Sequence, residues 1–261
     1  MLQRLYQSFA DFPVLQTQFL ASKVALFLDV DGTLLEIARR PDAVRVTEPL
    51  RELLGALLHD NGGAVALVSG RTLTDLDQLF APLAFPAAGL HGLERRSAGG
   101  IIHTHADSAA LRAVRDFLTE ESSTGLLVED KGGAIALHYR EKPELAMHAH
   151  DLARRAAHLA GPRWEAVPGK MSIEIRDAGF GKHFALAQFM REPPFAGRIP
   201  AFLGDDRTDE DGFAFVNEHD GWSVHIGAGP TCARWSLPDP MAVWRLLRAL
   251  SPRHATEHLR A

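Results

Sequence analysis

Cysteine is almost missing from this chain. Cys232 is the single one among 261 residues, so no internal disulfide can form. That suits a reducing compartment. Long apolar runs are missing too. No stretch approaches the roughly 20 residues of a membrane span. The opening residues, MLQRLYQSFADF, lack the apolar core of a secretion signal. There is also no surplus of positive charge: 28 Lys and Arg stand against 33 Asp and Glu, a formal net charge of -5. Nucleic-acid binders are usually basic, so no nucleic-acid partner is expected. An anionic substrate would need a local positive site, because the overall field does not attract it. Repeats and low-complexity tracts are absent. These gaps together point to a soluble cytoplasmic protein with neither a nucleic-acid nor a membrane partner; a monomer is expected.

What is present is ordinary globular material, 46% apolar and 23% charged. Val24 to Leu28 (VALFL) is too short for a buried helix and suits a central parallel strand. Thr47 to Asp60 reads as a helix, with Thr47 as N-cap, Pro49 in the first turn and Asn61-Gly62-Gly63 as a stop. Ala64 to Val68 is a second buried strand; Ser69-Gly70-Arg71 follows, with Ser69 at a helix start, and then a helix to about Phe80. This alternation predicts a doubly wound parallel α/β sheet. After about Gly92 the pattern changes. Strands at Ile101 to His103, Leu126 to Asp130 and Ala134 to Arg140 and helices at Asp107 to Glu121 and Pro143 to Ala160 are expected. A hairpin, Trp164 to Val167 and Ser172 to Arg176, turns at Pro168-Gly169. Alternating polarity there implies a sheet with one open face. Buried strands return at Ile199 to Leu203 and Trp222 to Ile226, and Asp239 to Leu250 closes the chain as a helix. The predicted architecture is a discontinuous catalytic core, 1–92 and 178–261, with an inserted α+β cap, 93–177. Residues 1–22 read as a lead-in with one short helix.

Four short motifs carry the chemistry. Asp29-Val30-Asp31-Gly32-Thr33 follows the first strand, where ligands of doubly wound sheets bind. A carboxylate at Asp29 can attack phosphorus. Asp31 can protonate a leaving oxygen and later deprotonate water. Gly32 allows a sharp turn. Ser69 follows the second strand and can hold a phosphate oxygen. Gly181-Lys182 opens a helix and offers a counter-charge to a transferring phosphoryl group. Gly204-Asp205-Asp206-Arg207-Thr208-Asp209 follows the strand ending at Leu203. Its acids suit a hard divalent cation, shared with Asp29 and the Asp31 backbone carbonyl. Taken singly, these are also an acidic turn, an N-cap, a surface lysine and a solvated acidic loop. Taken together they form one topology for phosphoryl transfer.

Their order and form resemble the haloacid dehalogenase superfamily of phosphatases. Asp29, Asp31, Thr33, Ser69, Lys182, Asp205 and Asp206 match its motifs one by one, within a span from Asp29 to Asp209. The resemblance implies Asp29 as nucleophile, Asp31 as general acid/base, Mg²⁺ as cofactor, Thr33 at the substrate, and Asp206 and Asp209 in support. VSGR (Val68 to Arg71), GLHG (Gly89 to Gly92), VEDKG (Val128 to Gly132), HYR (His138 to Arg140), GKMSIEIR (Gly169 to Arg176) and GDDRTDEDGF (Gly204 to Phe213) further resemble the trehalose-6-phosphate phosphatases. For that family the implied sugar contacts are Glu129, Lys131 and Glu174, with Arg140 and Lys170 beside them. Carboxylates accept from sugar hydroxyls and ammonium groups donate to them; the same residues can also be surface ion pairs. The implied substrate is a small sugar phosphate, trehalose 6-phosphate. A sibling acting on sucrose 6-phosphate or another hexose phosphate shares every core motif, as does a phosphomutase.

Substrate is expected to draw core and cap together about hinges near Gly92 and Ala178-Gly179. His91 either lines the site or packs at the hinge. His103-Thr104-His105 and His148-Ala149-His150 offer no third ligand for zinc. Trp222 and Trp235 read as core packing.

Overall fold

The computed structural model describes residue 17 and residues 22–37, 44–104, 108–121, 125–169 and 171–251. The lead-in helix expected before residue 22, His105 and Lys170 lie outside the described residues. The chain divides into two compact units, Met1–Ile102 with Lys182–Ala261, and His103–Gly181.

The first unit is built on β1 (Val24–Leu28), β2 (Val65–Val68), β3 (Ala87–Gly89), β10 (Ile199–Gly204), β11 (Trp222–Ile226) and β12 (Trp235–Leu237). These six are parallel in the order β12-β11-β10-β1-β2-β3. Antiparallel β4 (Glu94–Arg96) and then β5 (Ile102–Thr104), whose residues straddle the division, complete eight strands. The α/β class with a parallel-sheet core is as expected. The three-residue strands β3, β4 and β12 had no signal of their own, being too short for a period.

Every residue of β1 is buried, because helices cover both faces. Val24, Leu26 and Leu28 face α1 (Glu48–Asp60), α2 (Leu73–Phe80) and α7 (Pro240–Leu250). Leu50, Leu53, Leu54 and Leu57 of α1 join them at helical spacing. Ala25 and Phe27 face α5 (Lys182–Phe189) and α6 (Glu210–Glu218). There the Phe27 ring stacks on Phe195 at 5.5 Å. Truncating so buried an aromatic costs about 3–5 kcal/mol. Trp222 and Trp235 lie 5.8 Å apart against the other side, the cluster of Val24, Leu26 and Leu28, as expected for packing residues.

Two local expectations are corrected. The helix after β2 starts at Leu73, not at Ser69: Thr72 and Asp75 form a reciprocal capping box that fixes its first turn. Thr47 precedes α1 in extended conformation, but its side chain makes no capping bond.

The second unit has a four-stranded antiparallel sheet in the order β6-β7-β9-β8, from β6 (Leu127–Asp130), β7 (Ile135–His138), β8 (Trp164–Gly169) and β9 (Ser172–Asp177). Its strands β8 and β9 stay paired as far as Gly169 and Ser172. The reversal therefore lies beyond Pro168-Gly169, which belong to β8. Ile135, Leu137, Ile173 and Ile175 pack on α3 (Ser108–Glu121) and α4 (Ala146–Ala160). Strand alternation turns the neighbouring residues to the other face. No helix among the described residues is long and apolar enough to cross a membrane.

Candidate active site

β1 and β10 are neighbours, and the winding of the sheet reverses between them. Asp29 leaves the carboxyl end of β1, and Asp205 leaves that of β10. Glycine brings their side chains together. Gly32 has φ +88°, and a Cβ there would overlap the Asp205 carboxylate; a Cβ on Gly204 would overlap that of Asp209. Among the described residues, Asp29, Asp205 and Asp209 form the one acidic cluster, with a carboxylate oxygen from each within 4.8 Å of the others.

Lys182, at the start of α5, is buried in this cluster. Its Nζ donates to Asp29 Oδ1 at 2.7 Å and pairs also with Asp209 Oδ1. The second Asp209 oxygen accepts from the backbone N–H groups of Asp205 and Asp206, at 2.9 and 2.8 Å. Burial pushes the Asp29 carboxyl well above its ordinary value; Lys182 pulls it back, and the Asp209 and Asp205 charges push it further up. Burial, with Asp209 second, pushes Asp205 up to about 7. Burial alone would lower Lys182, but Asp209 and Asp29 more than offset it, so its net displacement is upward. With all three carboxylates ionised, as a bound cation would favour, one ammonium leaves two negative charges uncompensated. That is the charge of one divalent cation, and the donors are the hard oxygens that Mg²⁺ takes. The residues present therefore fit such an ion.

The acidic pair of the fourth motif splits. Asp205 faces Asp29, whereas Asp206 caps the single turn Arg207–Asp209 and accepts from the Arg207 N–H at 2.7 Å. The partner of Asp205 is Asp209, four residues on, because the turn folds it back over Gly204. Thr33 is buried, its hydroxyl 3.5 Å from Asp205 Oδ1. Ser69 is buried in a loop that precedes α2, and its Oγ accepts from the Arg71 N–H at 3.2 Å. Leu90 and His91 take left-handed φ values, +48° and +55°. Their backbone N–H groups bond to Arg71 O and Ser69 O, and a Cβ on Gly70 would strike the His91 ring. His91 thus packs on the loop of Ser69, Gly70 and Arg71.

Arg71 was missed as a site residue. Its guanidinium grips Asp31 with two bonds, Nε to Oδ2 at 2.6 Å and Nη2 to Oδ1 at 2.7 Å. The only hint in the sequence is its place two residues after Ser69, inside VSGR.

On the inserted unit, the register runs Glu129, Ala136, Glu174, Val167 across the four strands. This row belongs to the face opposite the helices. Lys131 Nζ reaches across β7 to Glu174 Oε2 at 3.0 Å. Its path is open because only alanines, Ala136 of β7 and Ala134 just before it, stand at that crossing. Burial alone would lower Lys131, but Glu174 outweighs it and the net displacement is upward. Glu129 pairs with His138, Oε2 to Nε2 at 2.8 Å, and that bond holds its carboxyl below the ordinary value. His138 had no assigned role in the sequence, although HYR drew notice. Arg140 is exposed beyond the end of β7.

The sequence profile of the trehalose-phosphatase family matches residues 27–241. A probable trehalose-phosphate phosphatase of Sinorhizobium fredii is 44% identical over 231 residues, covering 87% of each chain. The trehalose-6-phosphate phosphatase of Escherichia coli K12 is 42% identical over 242 residues, 92% of this chain and 91% of its own. Among solved structures, the C-terminal domain of Candida albicans trehalose-6-phosphate phosphatase aligns with a TM-score of 0.81 at 24% identity, over 96% of this chain and 99% of that one. The last likeness concerns the fold alone.

Proposed function

The chain belongs to the trehalose-phosphatase family, and from that premise we propose that it hydrolyses trehalose 6-phosphate to trehalose and phosphate through an aspartyl-phosphate on Asp29. The observation that carries the reading is the Asp29–Lys182–Asp209 contact beside Asp205, at the point where the sheet reverses its winding.

In the first step an Asp29 oxygen bonds to phosphorus as the bond from phosphorus to the sugar O6 breaks. Lys182 offsets charge on Asp29 and on the phosphoryl oxygens. Asp31 gives its proton to O6, so that the sugar leaves as an alcohol. In the second step water attacks phosphorus, Asp31 takes its proton, and the bond from phosphorus to the Asp29 oxygen breaks, restoring the carboxylate and releasing phosphate. Arg71 keeps Asp31 ordered beside the site, and one of its two bonds opens as Asp31 reaches O6 or the water. Ser69 and the neighbouring backbone N–H groups hold a phosphate oxygen. Mg²⁺ would be held by Asp29, Asp205 and the Asp31 carbonyl, with Asp209 fixing the loop, and would supply charge neutralisation at the phosphate. Glu129, Lys131 and Glu174 take sugar hydroxyls, with Arg140 and Lys170 as further candidates.

The test is phosphate release from a panel of sugar phosphates with and without Mg²⁺. Trehalose 6-phosphate should be the best substrate, and only with the metal. Equal rates on sucrose 6-phosphate would leave a phosphatase of broader range. Return of the phosphoryl group to sugar in place of water would make it a mutase.

A further inference from the structure

The open face of the inserted sheet carries one contact that the sugar reading does not use. Glu129 is half-exposed, with 49% of its side chain open, and a long acidic side chain in that position is free to sample rotamers. Here one of its oxygens is tied to His138 at 2.8 Å. The two residues are diagonal neighbours. Glu129 stands opposite Ala136 and His138 opposite Leu127, so both project from the face that carries Glu174. Glu174 is held in the same way by Lys131. Glu129 therefore has one oxygen occupied by a nitrogen donor, and a carboxylate has several further lone-pair sites.

We propose that His138 is a substrate-positioning residue: it fixes one oxygen of Glu129 so that the other stays directed at a sugar hydroxyl. The statement rests on the reading that this face takes the sugar. An imidazole suits the task. It is short and rigid, and with Nε2 carrying the proton it donates to the carboxylate. Binding then orders a side chain that is already ordered, and the hydroxyl need not do so. His138 acts through Glu129, so its effect belongs to recognition of the sugar, not to the bond-making at phosphorus.

The experiment compares wild type, His138→Ala and His138→Gln on trehalose 6-phosphate and on 4-nitrophenyl phosphate, which has no sugar hydroxyls. Alanine should raise KM for the sugar phosphate about tenfold while kcat stays within about twofold. The loss of kcat/KM should be at least about five times larger for the sugar phosphate than for the aryl phosphate. Glutamine, whose amide nitrogen reaches nearly as far as Nε2, should restore most of the KM. An unchanged KM in His138→Ala, an equal loss on both substrates, or a glutamine variant no better than alanine would each overturn the assignment. Wild type that releases no phosphate from trehalose 6-phosphate would overturn the functional reading, and this proposal with it. Active wild type beside an indifferent alanine variant overturns only the role of His138.

Discussion

In the core unit three carboxylates cluster around one ammonium that bonds two of them, whereas on the inserted sheet Glu129 and Glu174 each have a nitrogen partner. The burial differs as well. Asp29 is 5% exposed, and its carboxyl is raised by burial and by its acidic neighbours. Glu129 is half-open, and its carboxyl is lowered, first by the His138 bond. A buried cluster with excess negative charge is costly until a cation or a proton joins it. A carboxylate with a nitrogen partner of its own costs less to hold. Under the proposed function, chemistry and recognition use carboxylates in opposite electrostatic states.

The sharpest way to break this contrast is Asp29→Asn. An amide cannot attack phosphorus, so turnover should fall by about 10⁴-fold or more. Binding of trehalose, followed by calorimetry, should change far less. Residual turnover near wild type would remove Asp29 as nucleophile. Next in size is Arg71→Ala, which frees Asp31 from its two-pronged partner. Sugar-phosphate turnover should fall about 10- to 100-fold, part of what a positioned general acid contributes. An aryl phosphate should lose less in the first step, because its leaving group needs no proton; a nitrophenolate burst reads that step directly. Equal losses would make Arg71 a phosphate ligand.

On the recognition side, Glu174→Ala should lower kcat/KM for trehalose 6-phosphate about tenfold to a hundredfold, as expected for one lost hydrogen-bonding group and the lysine it leaves behind. The aryl phosphate should be affected much less. Ala136→Leu puts a side chain in the path of Lys131 and should raise KM for the sugar phosphate by about threefold to tenfold. A normal KM there would show that the Lys131–Glu174 contact is dispensable.

The smallest effect is on stability. Asp205 has a folded-state value of about 7, above the ordinary 3.8. The folded protein therefore binds more protons than the unfolded chain between those values, and metal-free stability should decline as pH rises through that window. Mg²⁺ competes with the proton, so it should raise Tm more at pH 8 than at pH 5. A larger Mg²⁺ effect at pH 5 would refute the acidic cluster as the metal site.

Much of this was legible in advance, for identifiable reasons. VALFL and AVALV read as buried strands because covered parallel strands are apolar without alternation. DVDGT and GDDRTD stood out because catalytic acids cluster just past strand ends. The pairings inside those motifs were not legible. Asp205 and Asp206 look equivalent as neighbours, yet a turn of three residues sends Asp206 to its own backbone and brings Asp209 inward. Ser69 read as a helix start, but Thr72 and Asp75 offered the stronger cap. His138 and Arg71 were visible only as letters within motifs, because their partners lie 9 and 40 residues away.

The sequence by itself determined the α/β class, the order of the elements and the residues available for phosphoryl transfer, because period, punctuation and residue chemistry are local properties. Tertiary structure alone decided which acid meets which base. That choice depended on the register across β6, β7 and β9, on the adjacency of β1 and β10, and on two glycines small enough to let carboxylates approach. Electrostatic character follows distance and burial, and neither exists until the strands are side by side.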